Sequence, residues 1–168
     1  ISRYMRRKHL PMPIRQRVLS YYKFQQASMN VLEDQEVLND LPRAMRMQIA
    51  IQMHRSVFVQ LPLFWLCEPE ELLLIVQRLR PSLVTVGEML LKEGCFGVGL
   101  HLLMKGAVET TRDGSLLVVL LATAAFGEAA LRSEQSESTV TVRALRFCEM
   151  SLLLRDDFLE ISRLNPSI

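Results

Sequence analysis

The hydrophobic period of this chain changes at Arg80-Pro81, from a helical spacing to a spacing of two. After Pro81 come short strand-like runs: Leu83–Val86, Met89–Lys92, Leu100–Met104, Val108–Arg112, Leu116–Leu121, Val140–Leu145 and Phe147–Ser151. A period of two sends alternate side chains to a core and to solvent, so these runs read as strands. Gly87, Gly94, Gly97, Gly99, Gly106 and Gly114 fall in the spacers. Asp113-Gly114 lies between two runs and predicts a two-residue hairpin, because a type I′ turn needs positive φ at both central residues. Short strands with frequent turns predict a small antiparallel barrel or jelly roll.

Before Pro81 the signals are helical. Ile1–Leu10 reads as a short basic helix, broken by Pro11 and Pro13. Pro13 suits the first turn of a second helix over Ile14–Gln26. A third is predicted over Glu33–Leu41, with Glu33 and Asp34 favourable to the dipole in its first turn. Pro42 opens a fourth that runs to about Leu61. Their apolar stripes are rich in Met and Leu, and the array is too thin to bury every face alone. Pro62-Leu63-Phe64 is a hinge. Glu68–Leu79 follows as a helix with Pro69 and three acids in its first turn. A last helix spans about Arg155–Leu164, stopped by Asn165-Pro166. The fold class is therefore α+β: helices, then an antiparallel β-roll flanked by helices. The domains are residues 1–61, helical, and 62–168, the roll.

Charge is distributed unevenly. Residues 1–60 hold ten Lys and Arg against four acids, and the rest of the chain ten against fourteen. A basic end faces anionic lipid, nucleic acid or an acidic partner, or is a solvated helix face. Cys67, Cys95 and Cys148 are widely spaced, without a C-x-x-C, so neither a zinc site nor a disulfide framework is indicated. They read as small apolar residues in a reducing compartment. The longest apolar run, Leu116 to Gly127, is short of the ~20 residues a membrane span needs. The chain starts at Ile1 without an initiator Met, and we read it as a piece of a longer protein.

Several segments, in order, resemble one family. Gly87-Glu88 with Lys92-Glu93-Gly94 resembles the glycine hairpin of cyclic-nucleotide-binding domains. Leu100 to Gly106 resembles the strand that follows it. Phe126-Gly127-Glu128-Ala129-Ala130-Leu131, then Ser138-Thr139-Val140-Thr141-Val142-Arg143-Ala144, resembles the family's phosphate-binding cassette. The first sixty residues sharpen the likeness. Arg6-Arg7-Lys8-His9-Leu10-Pro11, Ile14-Arg15-Gln16-Arg17-Val18 and Val37-Leu38-Asn39-Asp40-Leu41-Pro42 resemble the C-linker of hyperpolarization-activated, cyclic-nucleotide-gated and ether-à-go-go-type channels. The stretch Val142–Met150 with Arg155–Ile161 is most similar to the ether-à-go-go-type potassium channels.

That resemblance implies a nucleotide pocket built from Phe126, Gly127, Glu128, Ala129, Ala130, Ser138 and Thr139. The short helix at the cassette would point backbone N–H groups at a cyclic phosphate. Glu128 would accept from the ribose 2′-hydroxyl, and Thr139 would donate a hydroxyl hydrogen bond. The family's phosphate-pairing arginine is missing: its position holds Glu137 or Ser138, with Glu134 close by, and Arg132 in the same loop is an alternative candidate for the charge. Loss of about 2–3 kcal/mol there weakens binding roughly 30- to 150-fold. The expected ligand is cAMP or cGMP, held weakly or not at all. The family's lid helix would begin near Ile168, so the domain reads as truncated before it; in ether-à-go-go-type channels the pocket is filled by the protein's own residues beyond that helix.

The expected function is a cytosolic gating module of a tetrameric cation channel, potassium being the expected ion. The resemblance implies a homotetramer through the linker, a channel transmembrane domain upstream, contact with anionic lipid, no nucleic acid, and a place on the cytoplasmic side of a membrane. The alternatives are a soluble cyclic-nucleotide sensor or regulatory subunit, and a scaffold whose roll binds only protein. No enzyme is indicated: His9, His54 and His101 are isolated and read as structural or solvent-facing, no G-x-S-x-G, P-loop or H-E-x-x-H occurs, and no metal site is expected.

Overall fold

The computed structural model describes the backbone at residues 1–133 and 135–164, and the side chains there except at 27–39, 43 and 164. Two compact units divide the chain, Ile1–Leu41 and Pro42–Ile168.

The first unit holds α1 (Ser2–Arg7) and α2 (Met12–Asn39). The two helices expected over Ile14–Gln26 and Glu33–Leu41 are one continuous helix, α2. No Gly or Pro lies between Gln26 and Glu33, and without a breaker the acids at Glu33 and Asp34 do not start a new helix. Met5 is buried in this unit.

The second unit opens with α3 (Arg43–Phe58), preceded by Pro42, then a single 3₁₀ turn at Pro62–Phe64 and α4 (Pro69–Arg78). The acids expected at the start of α4 form a reciprocal cap: the Glu68 N–H donates to Glu71 Oε2 at 2.8 Å. This satisfies backbone donors that a helix start leaves open.

The roll follows with eight strands among the described residues, one more than the sequence runs suggest. They are β1 (Arg80–Val84), β2 (Met89–Leu91), β3 (Gly99–Lys105), β4 (Ala107–Arg112), β5 (Ser115–Leu121), β6 (Ala125–Phe126), β7 (Thr141–Ala144) and β8 (Cys148–Leu154). The extra strand, β6, is two residues long, too short to carry a period. A four-residue helix, α5 (Ala129–Arg132), lies inside the roll, and α6 (Arg155–Leu164) leaves it. One sheet runs β1-β8-β3-β6 and the other β2-β7-β4-β5, all antiparallel. The fold is α+β with a β-roll. Asp113 and Gly114 have φ +50 and +75, as the type I′ hairpin requires.

Strand alternation separates two cores. Leu103, Val108, Phe126, Val142, Ala144, Cys148 and Met150 fill the space between the sheets. Leu100, Leu102 and Leu153, on the other face of the first sheet, join Val57, Phe58, Phe64, Ile75, Leu131, Phe158 and Ile161. That second core ties α3, α4, α5 and α6 to one wall of the roll. Ion pairs fix the outside of the same junction: Asp157 of α6 holds Arg78 and Arg80, each at 3.0 Å.

Candidate functional site

The cassette residues come together at one end of the roll. β6 carries Phe126, which is buried and stacks on His101 of β3, with ring centroids 5.1 Å apart and planes 9° from parallel. His101 and Phe126 are register partners in the first sheet, so the stack is fixed by strand pairing. Gly127 then turns the chain with φ +87. A Cβ there would lie 2.7 Å from the Gly99 carbonyl oxygen, so both the turn and the close approach need glycine.

Glu128 begins α5 and is exposed, as is Ala129. The Ala130 N–H donates to the Gly127 carbonyl at 3.1 Å and the Leu131 N–H to that of Glu128 at 3.1 Å. Ala130 is buried against the β2–β3 connection: a Cβ on Gly97 would stand 3.0 Å from that of Ala130. Small residues on both sides let the cassette helix sit this close. Leu131 points the other way, into the core it shares with Phe158 and Ile161.

Ser138 and Thr139 lie on the irregular return segment before β7, which is stitched to the β2–β3 connection. The Gly94 N–H donates to the Ser138 carbonyl and the Ser138 N–H to the Cys95 carbonyl, both at 2.8 Å. Phe96 and Glu137 form a bridge beside them. The Ser138 hydroxyl donates to the Val140 carbonyl at 2.7 Å and so is engaged within its own turn. Thr139 is exposed, and its carbonyl accepts from Arg112 Nε at 3.0 Å. Arg132, at the end of α5, is exposed. Glu134 lies outside the described residues.

Two residues here lie outside the site that the sequence predicts, His101 being read there only as structural or solvent-facing. His101 Nε2 is buried without a partner among the described residues, and burial lowers the imidazole to a pKa of about 4, so the ring is neutral near pH 7. Arg112 belongs to a different strand, and only the register places it beside Thr139. Neither shows a motif; a count of strand alternation from the predicted hairpin is the one signal that reaches Arg112. Among the described residues no cluster of three His, Cys, Asp or Glu is arranged to hold a metal.

Helices on one wall, two four-stranded sheets and a glycine turn into a short internal helix define a ligand-binding roll. Residues 83–165 match the cyclic nucleotide-binding domain family, and this part of the chain belongs to it. The family is one of ligand binding and not of enzymes. The likeness to channels extends over the helices as well. The chain is 25% identical over 167 residues to the cyclic nucleotide-gated cation channel of Ictalurus punctatus, covering 95% of this chain and 24% of that protein. It is 30% identical over 151 residues to the human voltage-gated inwardly rectifying potassium channel KCNH3, covering 89% of this chain and 14% of that protein. Human cyclic nucleotide-gated channel alpha-3 is 26% identical over 167 residues, covering 95% and 24%. The chain thus spans about a quarter or less of these relatives. Residues 83–165 are thus a cyclic nucleotide-binding domain, in a chain that is similar along most of its length to segments of these channels. Among the described residues no helix is long and apolar enough to cross a membrane.

Proposed function

We propose that this chain is the cytosolic gating module of a tetrameric cation channel, selective for potassium, with weak nucleotide binding or none. Residues 1–61 serve as the linker to the pore and 62–168 as the ligand-sensing roll. One observation carries the reading: the relatives that match the helices together with the roll are channels. A soluble regulator of another type has no reason to share the helical part.

Unburied apolar surface on the helical side supports assembly through the linker. Met45, Ile49 and Met53 recur at helical spacing along α3, and Ile49 and Met53 line a depression of about 440 Å³ with Gln48 and Gln52. Met45 and Met53 are about half exposed, and beyond the helix end Val59 is 63% and Trp65 67% exposed. Such a patch marks a protein contact. Four copies around a pore axis would cover it and transmit movement to the gate. The basic residues of α1 and its end, Arg3, Arg6, Arg7 and Lys8, suit an anionic membrane surface on the cytoplasmic side.

The weak pocket follows from its electrostatics. Segment 137–139 offers a carboxylate and an engaged hydroxyl where an anion would sit. We expect calorimetry to give weak or no binding of cAMP and cGMP by the parent and a gain of at least about tenfold in Ser138→Arg. Tight binding by the parent refutes the weak-pocket reading. We expect sedimentation at high concentration to show self-association that Met45→Glu with Met53→Glu abolishes. A monomer at every concentration, with no effect of these substitutions on gating in the full channel, refutes the gating-module reading.

A further inference from the structure

A cyclic nucleotide carries a phosphodiester anion, and at the half-buried mouth of the roll that charge needs a cation. The return segment supplies none: Glu137 has the wrong sign, and the Ser138 hydroxyl is spent on Val140. A cation reaches this segment from β4. Arg112 Nε donates to the Thr139 carbonyl at 3.0 Å.

Register gives the side on which Arg112 lies. Val108 pairs with Ala144 and Thr110 with Val142, and Val108, Ala144 and Val142 all belong to the core between the sheets. Thr111 pairs with Thr141, on the outer face. The next positions, Arg112 and Val140, return to the inner side, and Val140 packs against the inner core. Arg112 is exposed at the end of β4, with its guanidinium against the return segment. Its bond to a backbone carbonyl orients the guanidinium and uses one of five donors. Both terminal nitrogens have no partner among the described residues and form a fork suited to two oxygens of one phosphate.

We propose that Arg112 is the phosphate-binding cation of this roll, supplying from β4 the charge that the cassette and its return segment lack. The inference rests on the reading that the roll takes a cyclic nucleotide. Acids near the same end of the hairpin, Glu93, Asp113 and Glu137, offset part of the attraction, in keeping with weak binding. Arg132 is the competing candidate, at the end of a helix and without an orienting bond among the described residues.

The test is calorimetric titration of cAMP and cGMP, to millimolar concentration, into the parent, Arg112→Gln, Arg132→Gln and Arg112→Gln/Ser138→Arg. The proposal expects Arg112→Gln to weaken binding at least about tenfold and to flatten its salt dependence. It expects Arg132→Gln to bind as the parent does, and the double variant to recover affinity because the charge is restored from the other strand. Equal binding by parent and Arg112→Gln overturns the proposal and leaves the nucleotide ligand standing. A lowered melting temperature in Arg112→Gln, with no recovery in the double variant, assigns Arg112 a structural role and also overturns it. No binding by the parent overturns it as well, while the gating reading, tested by self-association, stands.

Discussion

His101 sits where a charge is costly. Its ring lies flat on Phe126, its Nε2 has no partner among the described residues, and burial holds its pKa near 4. The folded chain therefore resists a proton that the unfolded chain accepts from about pH 6.5 downward. Stability contributed by the neutral ring is complete above that pH, declines as pH falls, and levels off near pH 4. The whole effect is of order 3 kcal/mol. We expect urea denaturation of the parent to lose more stability between pH 7 and 4.5 than that of His101→Phe, whose isosteric ring keeps the stack. Equal losses would show that the histidine is solvated. The sequence showed an isolated histidine and nothing more. Its partner is 25 positions away in a strand of two residues, and only the β3–β6 pairing joins them. Gly127 was legible, because a glycine between a strand-like run and a helix start has few other uses.

At the scale of elements, what could be read followed the strength of the local signal. Proline and paired acids gave α4 its start, and its cap forms as those residue types require. Asp113-Gly114 gave the β4–β5 turn. The supposed break before Glu33 failed because acids favour a helix start only where something else ends the preceding helix. β5 is the element whose sequence and place disagree most. It is an edge strand of the second sheet, yet Leu116, Leu117, Val118, Val119 and Leu121 are all more than 40% exposed. An apolar edge with no charge or proline is a template for pairing with another chain. Val119 stands opposite Glu109 on the outer face. We expect Val119→Lys to raise the temperature at which the protein aggregates, as followed by light scattering, because it charges the edge and gains a cross-strand acid. An unchanged onset would mean that β5 takes no part in aggregation.

For the molecule as a whole, the useful fact is which parts share a core. Leu131 of the cassette helix, Phe158 and Ile161 of α6, and Val57 and Phe58 at the end of α3 belong to one buried cluster. A shift of the cassette must repack that cluster, because interiors are dense and do not deform continuously. We expect Leu131→Ala to cost roughly 2–4 kcal/mol of stability by chemical denaturation. In a full channel we expect it to weaken the effect of any roll ligand on opening. None of this sharing was legible in the sequence, since periodicity says that a residue is buried and not what buries it.

The backbone bonds between Ser138 and the β2–β3 connection also place a reporter. Cys95 supplies one of the carbonyls in that stitch, and it is exposed while Cys67 is half-buried and Cys148 is buried. Burial raises the thiol pKa of both Cys67 and Cys148, which slows their attack on electrophiles. A maleimide dye at limiting concentration should therefore mark Cys95 first, as peptide mapping would establish, without any engineered cysteine. Fluorescence from that one position would register each loosening of the return segment, turning a native residue into an optical gauge of whether the roll is open or closed.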